Sequence, residues 1–139
     1  MLKLQTLLRC FVRSYCIGAN FNTKGLQNIG LSYAMDPGLQ KLYPDPGQLR
    51  QARKRDLKIY NSHPFWAPLF VGCFLFLELR IAQGLFAARS FTEIKQTATY
   101  TLSAIGDSFF GGSILVFWAL STCCLMVYGQ NSLAWIWLV

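Results

Sequence analysis

Residues 108–139 read SFFGGSILVFWALSTCCLMVYGQNSLAWIWLV, from Ser108 to Val139, without a single Asp, Glu, Lys or Arg. A helix needs about 20 mostly apolar residues to cross the hydrocarbon core of a bilayer. Ser108 to Tyr128 meets that length. Gly129-Gln130-Asn131-Ser132 then reads as a turn, and Leu133 to Val139 as the opening of another apolar element, in which Trp135 and Trp137 suit a membrane interface. An apolar run in lipid must satisfy its own backbone polar groups, which favours helix. The stretch therefore predicts an all-α integral membrane protein.

Moving toward the N-terminus, Phe65 to Leu77 is also uncharged, contains Pro68 and Gly72, and is closed by Glu78 and Arg80. Its thirteen residues are short for a crossing and predict a buried, re-entrant or interfacial segment. The whole chain agrees with a membrane class. Of its 139 residues 53% are apolar and 14% charged, whereas soluble domains carry about 25% charged residues. Four Trp, six Tyr and eleven Phe exclude a disordered chain, and the length excludes a large two-domain enzyme.

Charge is distributed unevenly. Residues 1–58 hold ten Lys or Arg against three Asp, and residues 59–139 hold three of each sign, so the net +7 lies entirely in the first part. Basic sequence ahead of apolar sequence marks the cytoplasmic side and favours an anionic membrane surface. Nucleic acid is the rival partner for such a segment, but no recognition motif accompanies it.

Within this basic part, Leu4, Leu7, Leu8, Phe11, Val12 and Tyr15 recur at helical spacing, with Lys3, Arg9 and Arg13 on the remaining surface. Residues 1–19 thus predict an amphipathic helix lying at the membrane interface, with an organelle transit peptide as the competing reading. Arg9 and Arg13 interrupt the apolar run that a secretory signal requires. Residues 18–47 carry five Gly and three Pro, and Asp36-Pro37-Gly38 and Pro44-Asp45-Pro46-Gly47 are turn signals. Short elements joined by turns are expected there. From Gln48 to Tyr60 a basic helix is expected, ending near Asn61, with Leu49, Ala52, Asp56, Leu57 and Tyr60 on one side. The organisation predicted is therefore an interfacial helix over 1–19, a basic turn-rich and helical cytoplasmic-side segment over 20–63, and membrane helices over 64–139.

Few residues present chemistry. Gly106-Asp107-Ser108-Phe109-Phe110-Gly111-Gly112-Ser113 lacks the Lys of a phosphate loop, and no two acids sit close enough in sequence for acid/base work. Five cysteines and one histidine, His63, do not make a zinc set. No metal, cofactor or catalytic residue is expected. Asp107 stands at the mouth of the uncharged stretch, where a carboxylate is either functional or caps the following helix. Asn61, Ser62 and His63 precede Pro64 at the break between the basic and apolar segments, where polar side chains either line a solute path or cap a helix boundary.

Three stretches resemble a known family, the IID membrane subunit of the mannose-type sugar phosphotransferase system of bacteria. The first is Asn22, Leu26-Gln27-Asn28-Ile29-Gly30-Leu31-Ser32-Tyr33-Ala34-Met35, Pro37 and Lys41-Leu42-Tyr43-Pro44. The second, Arg55-Asp56-Leu57-Lys58-Ile59-Tyr60-Asn61-Ser62-His63-Pro64-Phe65, is similar to a family pattern Arg-His-Leu-Glu-Phe-Phe-Asn-Thr-His-Pro followed by an aromatic. The third is Gly106-Asp107-Ser108-Phe109-Phe110 with Gly112. Their order and spacing match over about residues 20–115. Asp56 and Lys58 stand where the family has His and Glu, Gly111 replaces a Trp, and family members commonly run about twice as long.

The resemblance implies a non-phosphorylated, multi-pass subunit of the bacterial inner membrane. It would pair with a IIC subunit in a hetero-oligomer to translocate a hexose, while separate cytoplasmic IIA and IIB proteins carry phosphoryl transfer. Asn61, His63, Gly106 and Asp107 are the candidate substrate-path or positioning residues. The alternative is a structural or regulatory membrane protein, or a decayed fragment, that keeps the IID-like N-terminal half without transporting.

Overall fold

A computed structural model describes residues 2–128, and the expected turn at Gly129–Ser132 and the element after it lie outside the described residues. Among the described residues six α-helices follow one another: α1 (Leu4–Ser14), α2 (Asn28–Leu42), α3 (Pro46–Asp56), α4 (Ala67–Ala82), α5 (Ala88–Gly106) and α6 (Leu115–Val127). Asp107–Ile114 between the last two is a π-helix, and short 3-10 turns occupy Ile17–Ala19 and Pro64–Trp66. The described residues contain no strand, only isolated bridges from Leu26 to Asn22 and to Tyr60. The chain divides into two compact units, Met1–Ser103 and Ala104–Val139.

The first unit is built around α4. Phe70, Val71, Phe74 and Leu75 are buried against Leu31, Met35 and Leu39 of α2, Tyr60, and Phe91 of α5. Phe74 meets Phe70, Tyr60 and Phe91 at ring-centroid distances of 5.3, 6.4 and 5.7 Å, the separations that aromatic pairs favour. Burying each such side chain stabilises by about 1.5–3 kcal/mol. The charge-free run expected over Phe65–Leu77 is thus a core helix on one side. It extends to Pro64–Ala82, 19 residues, long and apolar enough to cross a membrane.

Two sequence expectations change. Asp36-Pro37-Gly38 is not a turn, because α2 runs straight through Pro37. The Pro costs about 3 kcal/mol in a helix interior. Three contacts hold the segment helical: Asp36 accepts hydrogen bonds from the Gln40 side chain and from Arg53, and Gly38 lies so close to Leu75 of α4 that an added Cβ would stand 2.5 Å from its Cδ2. Packing therefore overrides a local breaker. The second change concerns α3, which starts at Pro46 and ends at Asp56, short of Asn61. Asp45 caps its start by accepting from the Gln48 N–H at 2.8 Å, as its type and the following Pro favour. Its end is fixed by Lys95 of α5, whose ammonium donates to the carbonyls of Arg55, Asp56 and Lys58 at 3.4, 2.7 and 3.3 Å. Beyond it, Tyr60 pairs its backbone with Gly25 and Gln27. The expected inward side is retained at Ala52, Asp56 and Tyr60, whereas Leu57 is exposed.

The α5, π and α6 segments form one helical run, Ala88–Val127, of 40 residues. α6 is mostly exposed, with Trp118, Ser121 and Leu125 half-buried and Thr122 its one buried residue.

Candidate functional site

Polar chemistry in the first unit collects at the ends of α3 and α4. Arg55 of α3 forms a two-pronged pair with Glu78 of α4, Nη2 to Oε2 at 2.7 Å and Nε to Oε1 at 3.0 Å. Tyr43 donates its hydroxyl to Glu78 Oε2 at 2.7 Å. Glu78 is wholly buried, so a charge within an apolar helix is met by a bidentate cation and a phenol, as burial of an ion requires. Burial first, and then the hydrogen bond to Glu78, push the Tyr43 phenol well above its ordinary range.

Beside that pair lies Asp56, also fully buried. Neither of its carboxylate oxygens has a hydrogen-bond partner. Burial pushes its pKa upward, and the positive charge of Lys95 opposes that shift only in part. Glu78, Lys95 and Tyr43 are not among the site residues expected from the sequence. One signal was available: Glu78 falls one helical turn after Phe74 and Leu75 on the same face of α4, and Lys95 lies one turn from Phe91 and from Thr99, so each charge sits on a face otherwise set for burial.

Asn61 and His63 lie together in the segment that joins α3 to α4. Asn61 is exposed and borders a cavity of about 20 Å³ with Tyr60, Gln96, Thr99 and Tyr100, enough for a water and not for a sugar. His63 is half-buried, stacks on Phe65 with ring centroids 5.4 Å apart, and accepts from the Trp66 N–H at 3.0 Å through its carbonyl. It opens the 3-10 turn that leads into α4.

Gly106 and Asp107 sit at the junction of α5 and the π-helix. Gly106 is buried and Asp107 exposed. Asp107 does not open a new helix, because the backbone is helical on both sides of it. The following turns are wide, and Ser113 donates its hydroxyl to the Ser108 carbonyl five residues earlier at 3.3 Å. An added Cβ at Gly111 or Gly112 would meet nothing within 4 Å, so that side of the segment is open. π-segments within α-helices are frequent at functional sites. The four candidate residues thus fall two in each compact unit, and among the described residues no group of His, Cys, Asp and Glu is arranged to hold a metal ion.

Comparison with known proteins gives this arrangement a context. The chain matches the family described as the PTS system mannose/fructose/sorbose family IID component over residues 1–139. It is 33% identical over 106 residues to the mannose-specific EIID component of Escherichia coli (strain K12), covering 75% of this chain and 38% of that protein. It is 29% identical to the fructose permease IID component of Bacillus subtilis (strain 168), with the same coverage. The chain therefore spans about two-fifths of the length of the curated relatives it matches. Its fold superposes on a chain of a complex of the mannose transporter ManYZ with microcin E492 with a TM-score of 0.82 and 28% identity, over 99% of this chain and 50% of that one. A second solved structure, described as a membrane protein, gives a TM-score of 0.76 with 26% identity over 91% of this chain and 47% of that one. Helical fold, apolar membrane-length helices and sequence agree, and the chain belongs to the IID component family of mannose/fructose/sorbose phosphotransferase systems.

Proposed function

We propose that the chain acts as a IID-type membrane subunit that joins a IIC subunit to form the translocation unit for a hexose, with phosphoryl transfer carried by separate cytoplasmic IIA and IIB proteins. The observation that carries this reading is the family match over all 139 residues, supported by the likeness to a chain of a mannose transporter complex. The protein sits as a multi-pass component in a bacterial inner membrane, its basic N-terminal segment on the cytoplasmic side in accord with the charge asymmetry.

Asn61 and Asp107 serve as polar groups along or beside the sugar path, both being exposed. His63 and Gly106 position them: His63 fixes the turn into α4 through its stacking on Phe65, and Gly106 carries the helix into the π-segment.

The test is uptake of a labelled hexose by cells that lack their own IID protein, keep IIC, IIA and IIB, and express this chain. Restored, phosphorylation-coupled uptake is the expected result. Co-purification with IIC without uptake would replace transport by the structural or regulatory reading, and absence of both would end the assignment.

A further inference from the structure

The N-terminal helix is packed with its apolar side outward. Thr6, Cys10 and Ser14, spaced one turn apart, are the residues α1 buries. Leu4, Val12 and Tyr15 are 71%, 65% and 73% exposed, with Leu8 and Phe11 between them at about half. Water is a poor environment for such a row, and contiguous exposed apolar surface marks a docking site. The helix has no acid.

Its rim is cationic. Lys3 and Arg9 are exposed, and Lys3 borders a cavity of about 240 Å³ shared with Thr6 and with Lys41 of α2. No carboxylate pairs with Lys3, Arg9 or Lys41 among the described residues. Arg13 is engaged within the fold, its guanidinium 4.4 Å over the Tyr33 ring and donating to the Tyr33 carbonyl at 3.3 Å.

We propose that α1 docks on an anionic phospholipid surface, with Leu4, Leu8, Phe11, Val12 and Tyr15 entering the headgroup–acyl boundary and Lys3, Arg9 and Lys41 meeting the lipid phosphates. A helix with a strong apolar face and a basic rim binds membranes in this way. Charge complementarity selects this occupant: a second copy of the chain would bring Lys3 and Arg9 against their own like charges. An acidic protein would satisfy the rim but would need its own apolar groove for five large side chains. The proposal requires a membrane component and does not require that it transports.

The experiment uses the full chain in lipid nanodiscs, one set of pure phosphatidylcholine and one with half phosphatidylglycerol. A phospholipid carrying a photoactivatable diazirine on its acyl chain is activated, and the labelled residues are mapped by mass spectrometry. Label on Leu8, Val12 and Tyr15 is expected, higher in the anionic discs. Arg9→Glu and Lys3→Glu should each lower it there by roughly fivefold or more, about the effect of losing one surface cation, with α6 label and helicity unchanged. Label on α6 with none on α1 overturns the docking and leaves the membrane assignment standing. Equal α1 label in both lipids, untouched by the charge reversals, removes the anionic lipid as the partner. No label on either helix ends both.

Discussion

Arg55 and Glu78 join the most basic helix of the protein to its core helix: the guanidinium grips both oxygens of a carboxylate that is wholly buried. Such a pair stabilises little beyond what an apolar pair of the same shape would, because both ions lose water, yet removing one partner strands the other. Glu78→Gln and Arg55→Met are each expected to cost about 3–5 kcal/mol. The double variant should lose much less than the sum, which thermal unfolding of detergent-solubilised protein in a double-mutant cycle will read.

Asp56 gives the fold a pH dependence. Its folded pKa is raised by burial, so the folded state holds this proton at pH values where the unfolded chain has released it. The stability linked to it is full below the ordinary carboxylate pKa of about 4 and is lost as pH rises toward the raised value. Asp56→Asn, which keeps shape and removes the charge, should leave the melting temperature at pH 4 little changed and raise it at pH 8 by roughly 3–5 °C, the equivalent of about 1 kcal/mol in a chain of this size. A melting temperature that falls further at pH 8 than at pH 4 would show that the ionised carboxylate, paired with Lys95, is the stabilising form.

Much of this was legible in the sequence, and the exceptions have physical causes. Uncharged length in Ser108–Tyr128, the charge asymmetry and the helical spacing in α1 all report local properties, and local properties survive folding. Pro37 within α2 and the early end of α3 depend on partners distant in sequence, Leu75 in one case and Lys95 in the other, and no local pattern names them. The Gly106–Asp107 block was visible as a motif, but its π geometry was not, since paired glycines permit many backbones. Asn61 and His63 were readable as residue types; the stacking on Phe65 was not.

Close backbone approach makes a third prediction. A Cβ on Gly30 of α2 would collide with the backbone of Ile17, whereas one on Gly72 of α4 would meet nothing within 4 Å. A backbone neighbour cannot turn aside as a side chain does. Gly30→Ala is expected to destabilise by about 1–3 kcal/mol, the cost of overpacking. Gly72→Ala should be neutral or stabilising by up to about 1 kcal/mol, because alanine is the better helix former. Equal melting temperatures for the two variants would mean that the 3-10 turn at Ile17–Ala19 does not hold α2 in place.

Asp107 is the one carboxylate after Glu93; it is exposed at the head of the π-helix and without a salt bridge among the described residues. A charge at the edge of an apolar helix is costly to keep without a role, and its removal should cost the fold nothing. Asp107→Asn is therefore expected to leave the melting temperature and co-purification with a IIC subunit unchanged while lowering hexose uptake about tenfold, equivalent to ~1.4 kcal/mol of lost transition-state stabilisation. Asn61→Ala should act in the same direction. Asp107→Glu separates charge from geometry: retained uptake would assign the role to the carboxylate's charge, and loss would assign it to placement over the π-segment. If uptake in a complex of normal composition is unaffected by Asp107→Asn and by Asn61→Ala, neither residue lies on the path, and the exposed polar groups that remain on the π-helix, Ser108 and Ser113, become the next positions to vary.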